Sequence, residues 1–196
     1  SLSAWYLLAL VEGQAGNLSA ADAAVAQMTT IDPGDGRAPL AGARARSASG
    51  DHRAAVQTLA PRFPRPEARD LDSGLFVEMA TTLSSAYTEL GETGRAVEVY
   101  EAARKRRPDD QRVLFSLAAA YEGDRKYDRA ERAFREIIQA NESHAPALNY
   151  LGYMLADRGQ KLPEALGFIK RALAIDEDNP AYLDSLGWAY YRMGDF

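Results

Sequence analysis

Apolar positions recur along this chain at spacings of three and four, the interval that places them on one face of an α-helix. Leu83, Leu117, Leu151 and Leu186 hold equivalent places, separated by 34, 34 and 35 residues. Around them Tyr87 and Tyr121, Ala96 and Ala130, and Tyr100 and Phe134 are each 34 apart; toward the N-terminus so are Gly16 and Gly50, and Ala21 and Ala55. Helical patterning inside a 34-residue period predicts a helix, a turn and a second helix, stacked unit on unit. Small residues such as Ala118 and Ala130 let facing backbones approach, while large neighbours fill the flanking space. Gly16, Gly50, Gly91 and Gly159 fall in the turn inside a unit, where a left-handed C-cap is expected.

The chain therefore reads as one domain over 1–196: an all-α solenoid of about eleven helices in antiparallel pairs, about five and a half repeats. The units run over about 2–35, 36–69, 77–110, 111–144 and 145–179, with a partial sixth over 180–196. An insertion lies at about 60–76, where Pro61, Pro64 and Pro66 must end a helix. The sixth unit holds only a first helix, so the sequence reads as a fragment. Leu183, Leu186, Gly187 and Tyr190 would then face an absent second helix, and self-association through that face is expected. Unit two departs from the pattern, because Pro39, Gly42 and Arg46 stand at apolar positions. Either its first helix is short and poorly packed, or the register slips there.

The recurring residues carry a family likeness. Unit one supplies Trp5, Leu8, Ala9, Ala21, Val25 and Pro33, and unit three Leu83, Tyr87, Ala96, Tyr100 and Pro108. Unit four supplies Leu114, Leu117, Ala118, Tyr121, Ala130 and Phe134; unit five Leu148, Leu151, Gly152, Ala165 and Ile169; unit six Leu183, Leu186, Gly187 and Tyr190. Over essentially its whole length the chain resembles the tetratricopeptide repeat (TPR) family. The resemblance implies a right-handed superhelix whose first helices line a concave groove. On that basis units three and four offer Glu78, Thr81, Ser85, Glu89, Arg112, Phe115, Ala119 and Glu122 to the groove. Units five and six offer Asn149, Tyr150, Tyr153, Asp157, Asp184, Trp188, Tyr191 and Arg192.

Aromatics interleaved with Asn, Asp and Arg are the mix that anchors peptides. The candidate partner-binding residues are Phe115, Asn149, Tyr150, Tyr153, Asp184, Trp188, Tyr191 and Arg192. The amide of Asn149 has both a donor and an acceptor for a peptide backbone. Tyr150 and Trp188 have a second reading, as packing between neighbouring first helices. The Lys and Asn set with which some TPR domains clamp chaperone C-termini is missing, which argues against a chaperone-tail receptor.

Composition narrows the function. Hydrophobic residues make up 46% and charged residues 26%, the balance of a folded globular chain. A net charge of −5 argues against nucleic acid as the principal partner, and no apolar run is long enough for a membrane span. With no cysteine, disulfides and thiol chemistry are excluded. His52 and His144 have no metal-like spacing around them, and Asp32–Gly36 lacks the pattern of a calcium loop. The segment 91–94 has no Lys-Ser/Thr after it to make a phosphate loop. The basic run 104–107 closes a second helix, where cations complement the dipole.

No nucleophile–base pair stands out, so the chain is expected to be non-catalytic and without cofactor or metal: a scaffold or adaptor holding a partner peptide or helix. The alternative is a regulatory TPR region of a larger enzyme whose catalytic domain lies elsewhere. An excess of arginine (19) over lysine (4) suggests a GC-rich bacterial genome. The stretch 148–196 looks like the last repeats of bacterial TPR proteins, many of them envelope lipoproteins that serve as adaptors. Localisation leans to the envelope on that ground, with cytoplasm and periplasm both open.

Overall fold

The computed structural model describes residues 1–63 and 73–194. Among them are eleven α-helices and no strand, so the all-α expectation holds. The helices divide into two compact units, Ser1–Pro108 and Asp109–Phe196.

The first unit holds α1 (Leu2–Gln14), α2 (Leu18–Ile31), α3 (Arg37–Ala48), α4 (His52–Leu59), α5 (Ser73–Glu89) and α6 (Thr93–Arg106). Loops of a few residues make α1 and α2, α3 and α4, and α5 and α6 run antiparallel, and first helices also pack on first helices, α1 on α3 and α3 on α5. Ala9, Ala24, Met28, Ala38 and Ala41 form a core here, with Leu2, Trp5, Tyr6 and Val25 packed against it. The helix of doubtful packing in unit two is α3, which proves neither short nor loose. Ala38, Leu40, Ala41, Gly42, Ala43 and Ala45 are all buried in it. Its small residues are what bring the neighbours close. A Cβ on Gly13 of α1 would overlap the Cα and Cβ of Ala45, and one on Gly42 would meet Val25 at 3.8 Å. Arg46 turns outward to Asp22, at 2.8 Å.

One core expectation fails. Leu8 is exposed, and Leu7 and Val11 beside it are each 60% exposed. Helix α1 is apolar nearly all round and turns Ala9 and Gly13 inward to α2 and α3. Among the described residues no helix covers its other face.

The second unit holds α7 (Gln111–Gly123), α8 (Tyr127–Ala140), α9 (Ala145–Asp157), α10 (Leu162–Ile175) and α11 (Pro180–Met193). One core runs through all five, from Leu114 and Ala118 through Phe134 and Ile137 to Leu148, Leu151, Leu155, Ile169 and Ala189. Each such Leu, Ile or Phe stabilises by roughly 1.5–3 kcal/mol on burial.

Helix starts are capped by side chains that accept from the first free backbone N–H groups. Asp51 serves α4, Asp110 serves α7, His144 serves α9 through Nδ1, and Asn179 serves α11. The Asp110 carboxyl is held below its usual range by the Arg112 guanidinium, against the opposing effect of burial. A 3-10 turn over Ala60–Arg62 follows α4 and contains Pro61, while Pro64 and Pro66 lie outside the described residues.

All four expected turn glycines are left-handed, with φ between 65° (Gly159) and 84° (Gly50). The equivalent place between Gly91 and Gly159 is filled by Arg125, at φ 58°. An L side chain there costs about 1–2 kcal/mol in the left-handed region. Arg125→Gly should therefore raise stability by up to about 1 kcal/mol, after glycine's own unfolded-state entropy is subtracted. A denaturant midpoint unchanged or lowered would contradict this.

Candidate functional site

The candidate residues lie on α7, α9 and α11 of the second unit. His144 starts α9 by accepting from the Ala147 N–H (3.2 Å), and Pro146 sits in the first turn. One stripe of α9 buries Ala147, Leu148, Leu151, Gly152 and Leu155 in the core, leaving Asn149, Tyr150 and Tyr153 on another. Asn179 starts α11 in the same way, with Pro180 at its first position. There Tyr182, Ser185 and Ala189 are buried, while Leu183, Asp184, Gly187 and Tyr191 are exposed.

Four of the eight candidates meet in one cleft. Tyr153, Asp184, Trp188 and Tyr191 line it together with Leu183 and Gly187, around a space of about 470 Å³. The Trp188 and Tyr191 rings stack at 5.3 Å, and the Arg192 guanidinium lies 5.8 Å from the Trp188 ring centre. Arg192 also donates to the Asp157 carbonyl and pairs with its carboxylate at 3.8 Å, which ties α11 to α9. Among the described residues Asp184 is the one charged group lining the cleft.

Phe115 and Tyr150 belong to a different cluster. Tyr150 stacks on Phe134 at 4.9 Å and meets Phe115 edge-on at 5.9 Å, and Phe115 stacks on His144 at 5.8 Å. The Tyr150 hydroxyl donates to Glu122 (3.5 Å). Burial, reinforced by the Glu122 charge, pushes that phenol above its ordinary range. Both rings pack on the core, as does Trp188, so much of their surface is spent on the scaffold.

Two polar atoms at this face are buried without a partner: Asn149 Oδ1 and Trp188 Nε1.

The first unit carries a polar cluster that the sequence reading did not assemble. Arg44 donates to the Tyr6 hydroxyl (2.6 Å) and to Thr82 (3.4 Å), and pairs with Glu78 (3.2 Å). Only Glu78 was among the expected groove residues. Tyr6 and Arg44 occupy the same repeat positions as Asn149 and Tyr153, in the units where the departure at Pro39, Gly42 and Arg46 obscured the register. The acidic turn at 32–36 is spent locally: Asp32 accepts from the Gly34 N–H, and Asp35 holds Arg37. Among the described residues no three His, Asp or Glu side chains converge as metal ligands, and no helix is long and apolar enough to cross a membrane.

Comparison with known proteins places this geometry. Residues 77–120 and 120–180 match two models described as tetratricopeptide repeat. A TPR repeat-containing protein of Pseudomonas aeruginosa is 30% identical over 128 residues, which are 65% of this chain and 22% of that protein. The chain thus spans about a fifth of the length of this relative. A tetratricopeptide repeat protein from Parabacteroides merdae superposes with a TM-score of 0.75 at 17% identity, over 99% of this chain and 74% of that one. YrrB, described as a TPR protein with an unusual peptide-binding site, superposes with a TM-score of 0.64 at 16% identity, over 92% and 89% of the two chains.

Proposed function

We propose, from the premise that this chain belongs to the tetratricopeptide repeat family, that it is a scaffold that holds a segment of a partner protein along α9 and α11. The observation that carries this reading is the cleft itself: exposed Tyr153 and Tyr191, a stacked Trp188 and one carboxylate, Asp184, around a space the size of a few side chains. The exposed tyrosines supply contact area at little entropic cost. Phe115 and Tyr150 pack α7 and α9 onto the core, and Arg192 braces α11. The peptide-binding site of YrrB belongs to that protein; its fold likeness supports the view that this architecture accommodates a peptide. Adaptor work inside a longer protein, and a place at the cell envelope, extend the same proposal.

Panning a random-peptide display library on the full chain tests it. Enriched peptides should share an aromatic or aliphatic anchor and lose at least tenfold in affinity with Tyr153→Ala plus Tyr191→Ala. Arg132→Ala plus Glu136→Ala on α8 should leave affinity within twofold. Equal loss from both pairs, or loss from the α8 pair alone, would refute the groove assignment.

A further inference from the structure

Asp110, His144 and Asn179 hold the same place in three consecutive repeats, 34 and 35 residues apart, and each caps the first helix of its repeat. Asp110 accepts from the Arg112 and Val113 N–H groups, and Asn179 from the Ala181 N–H. Neither gains a proton between about pH 5 and 8, the window in which an imidazole does. His144 is the odd member, because a ring nitrogen accepts only while it carries no proton.

The cap of α9 has no substitute. The Ala145 N–H is taken by the Ser143 carbonyl at 2.9 Å, and Pro146 has no N–H to give. The Ala147 N–H is left with His144 Nδ1, at 3.2 Å, and Ala147 is fully buried, so water cannot replace the ring. Protonation turns Nδ1 into a donor facing a donor and puts a cation at the positive end of the helix dipole. Phe115, stacked on the ring at 5.8 Å, attracts a cation and works the other way, but it offers Ala147 no acceptor. The charged groups on the surrounding elements cancel in pairs. Arg112 on α7 is bound to Asp110 at 2.9 Å, and Arg171 on α10 donates to the carbonyl of Glu142, the acid of the capping turn, at 3.0 Å. The end of α8 over 137–140, α9 before Asp157 and the first turn of α11 add no charge.

We infer that His144 is a pH-sensitive clasp on α9: the neutral ring holds the start of the helix, and the protonated ring releases it. Its contribution is complete while the ring is neutral and is lost as pH falls through the range in which the ring takes its proton. Release begins one turn before Tyr150 and Tyr153, so acidification weakens capture of a groove segment, a consequence that rests on the function proposed above.

Amide exchange of the full chain at pH 7.5 and pH 5.5, corrected for the intrinsic rate at each pH, reads the cap directly. Protection of Ala147 should fall at least fivefold on acidification, while Ala181, capped by Asn179, changes less than twofold. His144→Asn, which borrows the cap of α11, should abolish the fall. His52→Gln, which removes the other histidine of the chain, should leave it intact. A histidine-free peptide selected on the groove should bind wild type at least threefold more weakly at pH 5.5, and His144→Asn equally at both pH values. Protection of Ala147 that ignores pH, or that falls equally in His144→Asn, would overturn the inference whether or not any peptide binds. Falling protection with unchanged peptide affinity would overturn the control of capture. Failure to select any groove peptide counts against the groove alone, because the exchange measurement needs no ligand.

Discussion

Gly152→Ala should destabilise the second unit by about 1–3 kcal/mol, whereas Gly187→Ala, the same substitution one repeat later, should stabilise it by about 0.5–1 kcal/mol. On α9 the new methyl meets the Ala165 carbonyl oxygen at 2.8 Å and the inner Ile169 methylene at 2.6 Å. Neither is the free end of a flexible side chain, so α9 and α10 must separate along the best-packed contact in the unit. On α11 the new methyl meets nothing within 4 Å and only removes the entropic penalty of glycine in a helix. Urea unfolding of both variants is the check. The result of interest is the opposite sign, because propensity alone predicts a gain at both sites. Two gains would mean that α10 is not seated on Gly152.

That pair also shows how far the sequence could be read. The 34-residue period located the helices and the left-handed turns, because both depend on residues within a few positions of each other. Gly152 and Gly187 look identical in such a reading; only three-dimensional neighbours tell a closed seat from an open one. The dense packing of α3 was missed for a related reason. Pattern reading counts large apolar residues, while Ala38, Ala41, Gly42 and Ala45 pack by being small. In the site, four residues picked out by repeat position, Tyr153, Asp184, Trp188 and Tyr191, line one cleft. Repeat position did not reveal that Tyr150 lies on Phe134 or that Arg192 is tied to Asp157, since side-chain partners across helices leave no mark on the period.

Tyr150 and Tyr153 should separate scaffold from binding surface. Tyr150→Ala removes a ring stacked at 4.9 Å on Phe134 and leaves a cavity beside the core, a loss of about 3–5 kcal/mol if the site collapses little. Tyr153 is 41% exposed, and Tyr153→Ala should cost no more than about 1 kcal/mol while weakening peptide capture. Tyr150→Phe keeps the stack and loses only the hydroxyl. Because burial raises the Tyr150 phenol above its ordinary range, the fold prefers the protonated form. Its contribution is therefore complete below the usual tyrosine range and is lost as pH rises through the raised value. Tyr150→Phe should accordingly remove part of the alkaline fall in stability that wild type shows. If Tyr150→Ala instead left the melting temperature unchanged and abolished peptide capture, Tyr150 would be a contact residue of the groove and not part of the scaffold.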